Sequence, residues 1–142
     1  MGFNLASKIK AYAALASASR NTSNELYITE VNWPLQGMGE WSPSKEYLIE
    51  ESFQSRYMVR YYLLMLASGK VKKCYWHQLV APGYGLVNNL DGKIDKRDAY
   101  FCFKHMIEAL SGGKTSKFIQ EKNLYCLIVE KENTFLEVIW SI

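Results

Sequence analysis

The sequence predicts an α/β fold in which three helices alternate with two strands, in the order α-β-α-β-α, and a β-hairpin follows. One long segment has the hydrophobic period of an amphipathic helix, two segments are rich in β-branched and aromatic residues, and the C-terminal segment alternates with a period of two. The length of 142 residues, with 49% hydrophobic and 22% charged residues, fits one globular domain and excludes a disordered chain.

The first helix is predicted from residue 4 to about residue 19, where an alanine-rich stretch contains no glycine or proline. Lys8, Lys10 and the small residues after them resemble a signal peptide only weakly, because the apolar part is mostly alanine. The longest apolar run, residues 61–67, is far shorter than the roughly 20 residues that span a bilayer. We therefore expect a cytoplasmic protein without a membrane segment.

The first strand is predicted over residues 25–33, which are rich in β-branched and aromatic side chains. It ends at Pro34, which has no amide proton for a β-ladder and disfavours helix in the residue before it. Residues 35–45 contain Gly37 and Gly39 and are typical of a loop.

The second helix and the second strand follow this loop. The helix is predicted from residue 46 to residue 68, with Gly69 as its left-handed C-cap and an apolar stripe of Ile49, Phe53, Tyr57, Tyr61 and Leu64. The strand is predicted over residues 71–79, where alternation separates one face (Cys74, Trp76, Gln78) from the other (Tyr75, His77, Leu79).

The rest of the chain combines a long loop, a third helix and the hairpin. Residues 80–95 are rich in glycine and asparagine, and a loop of this length in a compact domain is usually functional. The helix is predicted over residues 96–111, with Gly112 after it. Residues 124–130 and 134–140 alternate with period two across a short turn, which predicts the hairpin.

Composition excludes several classes of partner and site. The 17 basic and 14 acidic residues are scattered and leave a net charge of +3, so we expect no nucleic-acid partner. Cys74, Cys102 and Cys126 fit neither zinc-ligand spacing nor a fully paired disulfide framework. We therefore predict no metal and no cofactor.

Seven segments in order along the chain resemble the clan A glycoside hydrolases, the (β/α)₈ retaining glycosidases, from their seventh strand to the start of the small β-domain that often follows the barrel. Their order and spacing, more than any one motif, carry this resemblance. It implies an incomplete TIM barrel in residues 1–113 and the start of a β-domain in residues 114–142. The segments are Tyr27-Ile-Thr-Glu-Val-Asn-Trp-Pro34, Gln54-Ser-Arg-Tyr-Met-Val-Arg60, Ala67-Ser-Gly-Lys-Val71, Tyr75-Trp-His-Gln-Leu79, Gly83-Tyr-Gly-Leu-Val87, Lys96-Arg-Asp-Ala-Tyr100 and Leu136-Glu-Val-Ile-Trp140.

The resemblance implies that Glu30 is the catalytic nucleophile, because in this family the carboxylate that ends strand seven attacks the sugar. Strand alternation agrees, since Leu26, Ile28 and Glu30 share one face and Glu30 lies near the C-terminal rim, where barrel active sites lie. An acidic residue at a strand end is otherwise a common loop cap or ion-pair partner.

The resemblance also implies sugar contacts on the same rim. Trp76 corresponds to a family tryptophan that forms a floor for the sugar, and the alternative is a core tryptophan. Trp33, Trp41, Tyr84 and Gln78 are further candidate substrate contacts. If Trp76 faces the barrel interior, His77 faces the helices and is a core histidine.

One requirement of a retaining glycosidase is not met by these residues. The reaction needs two carboxyl groups about 5 to 5.5 Å apart. The family's acid/base follows an asparagine at the end of strand four, whereas this chain resembles the family only from helix six onward. The pair Asn24-Glu25 precedes strand seven at the opposite end of the barrel, and 142 residues are too few for a closed barrel of about 250.

Two functions from different classes follow. The first is a fragment of a retaining β-glycosidase-like hydrolase that carries the nucleophile Glu30, lacks the acid/base and is inactive alone. The second is a non-catalytic module that binds a glycan or forms a homo-oligomer through open sheet edges. An unrelated enzyme that uses Glu30 and His77 is disfavoured, because alternation is expected to place them on different strand faces.

Overall fold

The computed structural model describes residues 5–18, 25–42 and 45–141. Within these ranges the predicted order of three helices and the first two strands is confirmed, and no helix has the length and hydrophobicity of a membrane span. The predicted helix ends at residues 4 and 19, and Asn24, lie outside the described residues. The elements are α1 (Leu5–Ala18), β1 (Leu26–Val31), α2 (Glu51–Ser68), β2 (Val71–Trp76), β3 (Val87–Asn88), β4 (Asp95–Lys96), α3 (Asp98–Leu110), β5 (Lys114–Glu121), β6 (Leu124–Lys131) and β7 (Thr134–Ser141).

The strands form three small sheets, and the described residues contain no closed barrel. Strand β1 pairs with β2, β3 pairs with β4, and β5, β6 and β7 form a three-stranded sheet in that order. The chain divides into two compact units. The first comprises Met1–Tyr27, Arg60–Lys72 and Ile107–Ile142, and the second comprises Ile28–Val59 and Lys73–Met106.

Helix α2 buries a different stripe from the predicted one. The predicted Phe53 is 37% exposed, whereas the most deeply buried side chains of the helix are Gln54, Met58, Tyr62, Leu63 and Met65. Apolar residues occur on several sides of this helix, so its hydrophobic period does not specify which side is buried. The predicted C-cap is confirmed, because Gly69 has a φ of 60° and its amide donates to the Leu66 carbonyl.

The three-stranded sheet lies in the first unit and confirms the predicted hairpin. Strands β6 and β7 are antiparallel, with Tyr125 opposite Trp140. Leu127 and Val129 are buried on the same face as Tyr125, and the Tyr125 and Trp140 rings stack with centroids 5.5 Å apart. Strand β5 was not predicted, since only Phe118 and Ile119 are large and apolar in it and they are adjacent rather than alternating.

The loop between β2 and β3 lies in the second unit and is held by a buried arginine. Arg97 is 3% exposed, and its guanidinium donates to the carbonyls of Ala81, Pro82 and Gly85. Its Nε also donates to Oε2 of Glu51 at 3.0 Å, which links the loop to the start of α2. The predicted long loop is therefore ordered by one side chain that satisfies three backbone acceptors.

Gly83 allows the same loop to approach a second backbone segment closely. The Gly83 carbonyl accepts a hydrogen bond from the Leu35 amide at 2.8 Å. A Cβ atom at position 83 would lie 1.8 Å from the Trp41 carbonyl oxygen, a distance that no side chain can tolerate. Only glycine fits this position without movement of one backbone segment.

Replacing Arg97 by methionine is expected to lower the free energy of unfolding by about 3–5 kcal/mol, because buried carbonyls lose their donor. Urea unfolding followed by circular dichroism measures this change. The matched control is Lys93→Met, an exposed site, for which a change within about 0.5 kcal/mol is expected. Equal unfolding midpoints for both variants would show that Arg97 does not hold the loop.

Replacing Gly83 by alanine is expected to cost about 3 kcal/mol, since the new methyl group collides with a backbone oxygen that cannot rotate away. Gly37→Ala is the control, because its Cβ would meet no atom within 4 Å. Its φ of 77° is left-handed, and an alanine in that conformation costs about 1 kcal/mol. Differential scanning calorimetry compares the two variants. A loss for Gly83→Ala no larger than that for Gly37→Ala would contradict the close approach.

Candidate functional site

The candidate site lies in the second unit, where β1 and β2 end. The His77 amide donates to the Val31 carbonyl at 3.0 Å. Nδ2 of Asn32 donates to the His77 carbonyl at 2.6 Å, and the peptide bond between His77 and Gln78 is cis. These two hydrogen bonds attach the residue after β2 to the end of β1, so side chains from both strand ends lie close together.

Glu30 and His77 form the polar centre of this site. The Glu30 side chain is 62% exposed, and its Oε1 lies 3.6 Å from Nε2 of His77. The His77 side chain is 38% exposed. A carboxylate on a side chain this accessible can contact a ligand, while the imidazole beside it limits its orientations.

Tyr84 forms a flat wall next to His77. The two rings stack with centroids 5.7 Å apart and an interplanar angle of 10°. The Tyr84 carbonyl accepts a hydrogen bond from Nε2 of the fully buried Gln54 at 3.0 Å. Tyr84 also lies within the loop that Arg97 holds at Ala81 and Gly85. The backbone around this ring is therefore held at Tyr84 by Gln54 and at Ala81 and Gly85 by Arg97.

Trp76 takes part in a separate aromatic cluster. Its ring centroid lies 5.9 Å from that of Trp33, which lies 5.9 Å from Tyr57 of helix α2. The Trp76 Nε1 atom is buried and has no hydrogen-bond partner among the described residues. The indole of Trp76 thus belongs to an aromatic cluster that includes Tyr57 of helix α2.

Two predictions about the strand ends, both of which concern His77, therefore need correction. Glu30 and His77 were expected on different strand faces, with His77 a core histidine if Trp76 faced the barrel interior. Instead, His77 is partly exposed and pairs with Glu30, while Trp76 contacts Trp33. Alternation within a strand separates Trp76 from His77, but it does not determine which of them faces a residue of the neighbouring strand. Only the pairing of the two strands specifies this.

The remaining predicted contacts lie on the loops around this site. Trp41 ends the short helix Gly39–Trp41 and is 53% exposed, and Gln78 is exposed directly after His77. Trp33 and Tyr84 are half-buried. The described residues contain no group of three or more histidine, cysteine or acidic side chains arranged for a metal ion. The arrangement offers one carboxylate, one imidazole and several ring faces, which suits a polar ligand with apolar C–H surfaces.

No family model and no curated protein matches the sequence. A solved structure of a family 39 glycoside hydrolase from the gut symbiont Bacteroides cellulosilyticus WH2 is similar in fold, with a TM-score of 0.71 and 12% sequence identity. The similarity covers 94% of this chain and 27% of that chain, so this chain spans about a quarter of the length of the hydrolase. The fold of this chain is therefore similar to that of part of this hydrolase.

Proposed function

We propose that this chain is the C-terminal part of the (β/α)₈ barrel of a retaining glycosidase, together with the start of the β-domain behind it. The observation that carries the proposal is the exposed Glu30 carboxylate near the C-terminal end of β1, in a fold similar to part of a glycoside hydrolase. Barrel enzymes place their reacting groups at this end of their strands.

In this proposal Glu30 attacks the anomeric carbon of the sugar and forms a covalent glycosyl-enzyme intermediate. His77, with Nε2 3.6 Å from the carboxylate, lies beside Glu30 and limits the orientations of its side chain. The acid/base carboxyl group comes from a part of the barrel outside these 142 residues. The chain alone therefore does not protonate the leaving oxygen, and acid catalysis contributes about 10² to 10⁴ in rate.

The sugar contacts are proposed from the same rim. Trp41 and Gln78 are exposed, and Tyr84 presents a ring beside His77. Trp33 and Trp76 pack against each other with their rings tilted by 36° and are half-buried, so only part of each indole is open to a sugar. An aromatic ring binds a pyranose through its axial C–H groups, and such contacts do not require a charged ligand.

Glycosyl fluorides of 2-deoxy-2-fluoro sugars test the role of Glu30, because fluoride leaves without protonation and the fluorine at carbon 2 slows breakdown of the intermediate. We expect a covalent adduct on the peptide that contains Glu30, measured by mass spectrometry after digestion. Unactivated oligosaccharides should not be hydrolysed detectably, because the leaving oxygen stays unprotonated.

The matched variants separate a specific reaction from general labelling. Glu30→Gln is expected to remove the adduct, whereas Glu40→Gln, at another exposed carboxylate, should leave it unchanged. An adduct on a different carboxylate, or no adduct with any sugar of a panel that covers both anomers, would reject Glu30 as the nucleophile.

The second candidate function is self-association, with or without glycan binding. Three large apolar side chains of the β6–β7 hairpin are strongly exposed, namely Leu124 at 50%, Phe135 at 66% and Ile139 at 60%. Strand β7 is also an edge of its sheet. An edge strand with exposed apolar side chains is a template for pairing with another chain, so we propose a second copy of this chain as the partner.

Multi-angle light scattering at high micromolar concentration tests self-association, and we expect a dimer or larger oligomer. Replacing Ile139 by lysine places a charge on the exposed face and is expected to weaken the association at least tenfold. Asn133→Lys adds the same charge at the exposed turn and should have little effect. A strictly monomeric wild-type protein would exclude this function and leave the hydrolase proposal intact.

A further inference from the structure

The first unit contains a cleft that the proposed hydrolase function does not use. Its volume is about 490 Å³, and it is lined by α1, the C-terminal part of α2 and β5. Pockets for small ligands commonly measure about 300 to 1,000 Å³. All the lining residues belong to the first unit, and neither Glu30 nor His77 is among them.

The walls of the cleft are mainly apolar. Ile9 is 3% exposed and provides a buried wall, and Leu64 and Phe118 contribute larger apolar surfaces. Ala13 and Ala14 of α1 are small, which leaves space between this helix and the other walls. An apolar body such as an aromatic ring system or an acyl chain gains free energy by leaving water for such a surface.

The charged residues of the cleft are of one sign. Lys10 of α1 and Lys70 after α2 contribute to its lining, and the described lining residues include no aspartate or glutamate. Ser68 holds the backbone near Lys70, because its hydroxyl donates to the Met65 carbonyl and accepts from the Lys70 amide at 3.2 Å. Two ammonium groups at an apolar cleft favour an anionic head group over a neutral or cationic one.

We propose that this cleft binds a small amphipathic anion. Its apolar body lies against Ile9, Leu64 and Phe118, and its carboxylate, sulfonate or phosphate contacts Lys10 and Lys70. The apolar wall and the two lysines contact different parts of the ligand. Burial of the apolar body therefore supplies affinity, and the lysines select the charge of the head group. This inference is independent of the role of Glu30.

Fluorescent probes that differ in charge test the proposal on the complete chain. Anilinonaphthalenesulfonate is the anionic probe, and N-phenylnaphthylamine is its neutral counterpart. We expect saturable binding of one sulfonate probe per chain, at least tenfold tighter than binding of the neutral probe. Decanoate should displace the sulfonate probe at a concentration at least tenfold lower than decanol does.

Lysine variants then assign the charge selectivity to the cleft. The double variant Lys10→Met/Lys70→Met is expected to lose at least tenfold in affinity for the sulfonate probe and to bind the neutral probe unchanged. Lys122→Met, at the exposed turn between β5 and β6, is the control and should bind both probes like the wild type. Ala13→Phe fills the cleft from α1 and should weaken binding of both probes.

Three results would overturn the proposal. They are equal affinity for the charged and neutral probes, sulfonate binding that the double lysine variant does not change, and more than one sulfonate probe per chain. The near-ultraviolet circular dichroism of each variant is compared with that of the wild type. A variant with an altered spectrum is replaced by the corresponding glutamine variant, so the lysine test still gives a result.

Discussion

The buried guanidinium of Arg97 is the constraint on which the second unit depends. A charged group that is 3% exposed is costly unless its donors are satisfied. Here three backbone carbonyls and the Glu51 carboxylate satisfy them, and the carbonyls come from one loop. The desolvation cost of the guanidinium and the need of these carbonyls for donors both favour the loop conformation in which they meet. Removing the guanidinium takes a donor from each of these carbonyls, and removing the carbonyls leaves a buried charge without acceptors.

The order of this loop is transmitted to the candidate site through Tyr84. The Tyr84 carbonyl is bound by Gln54, its ring stacks on His77, and His77 lies 3.6 Å from Glu30. These three contacts connect four elements in series: α2, the loop, the end of β2 and the end of β1. The exposed carboxylate is therefore positioned by a series of contacts that leads back to the buried Gln54. Preorganisation of this kind is what a reacting or ligand-binding carboxylate requires.

The two units use their aromatic residues differently. In the second unit, Trp33 and Trp76 pack with each other, and His77 and Tyr84 form a separate stack beside Glu30. In the first unit, Tyr125 and Trp140 stack on the face of the sheet that also buries Leu127. Aromatic side chains are large enough to serve as core and as ligand surface, so the 14% aromatic content alone did not distinguish these roles.

The sequence by itself determined the types and order of the main elements, the C-cap at Gly69, the hairpin and Glu30 as a strand-end carboxylate. Local propensity, hydrophobic period and turn chemistry suffice for these features. Only the tertiary structure decided which stripe of α2 is buried, that β5 exists, and that Glu30 lies beside His77. These outcomes depend on the pairing of distant segments, and an alternating pattern divides a strand into two faces without specifying what each face contacts.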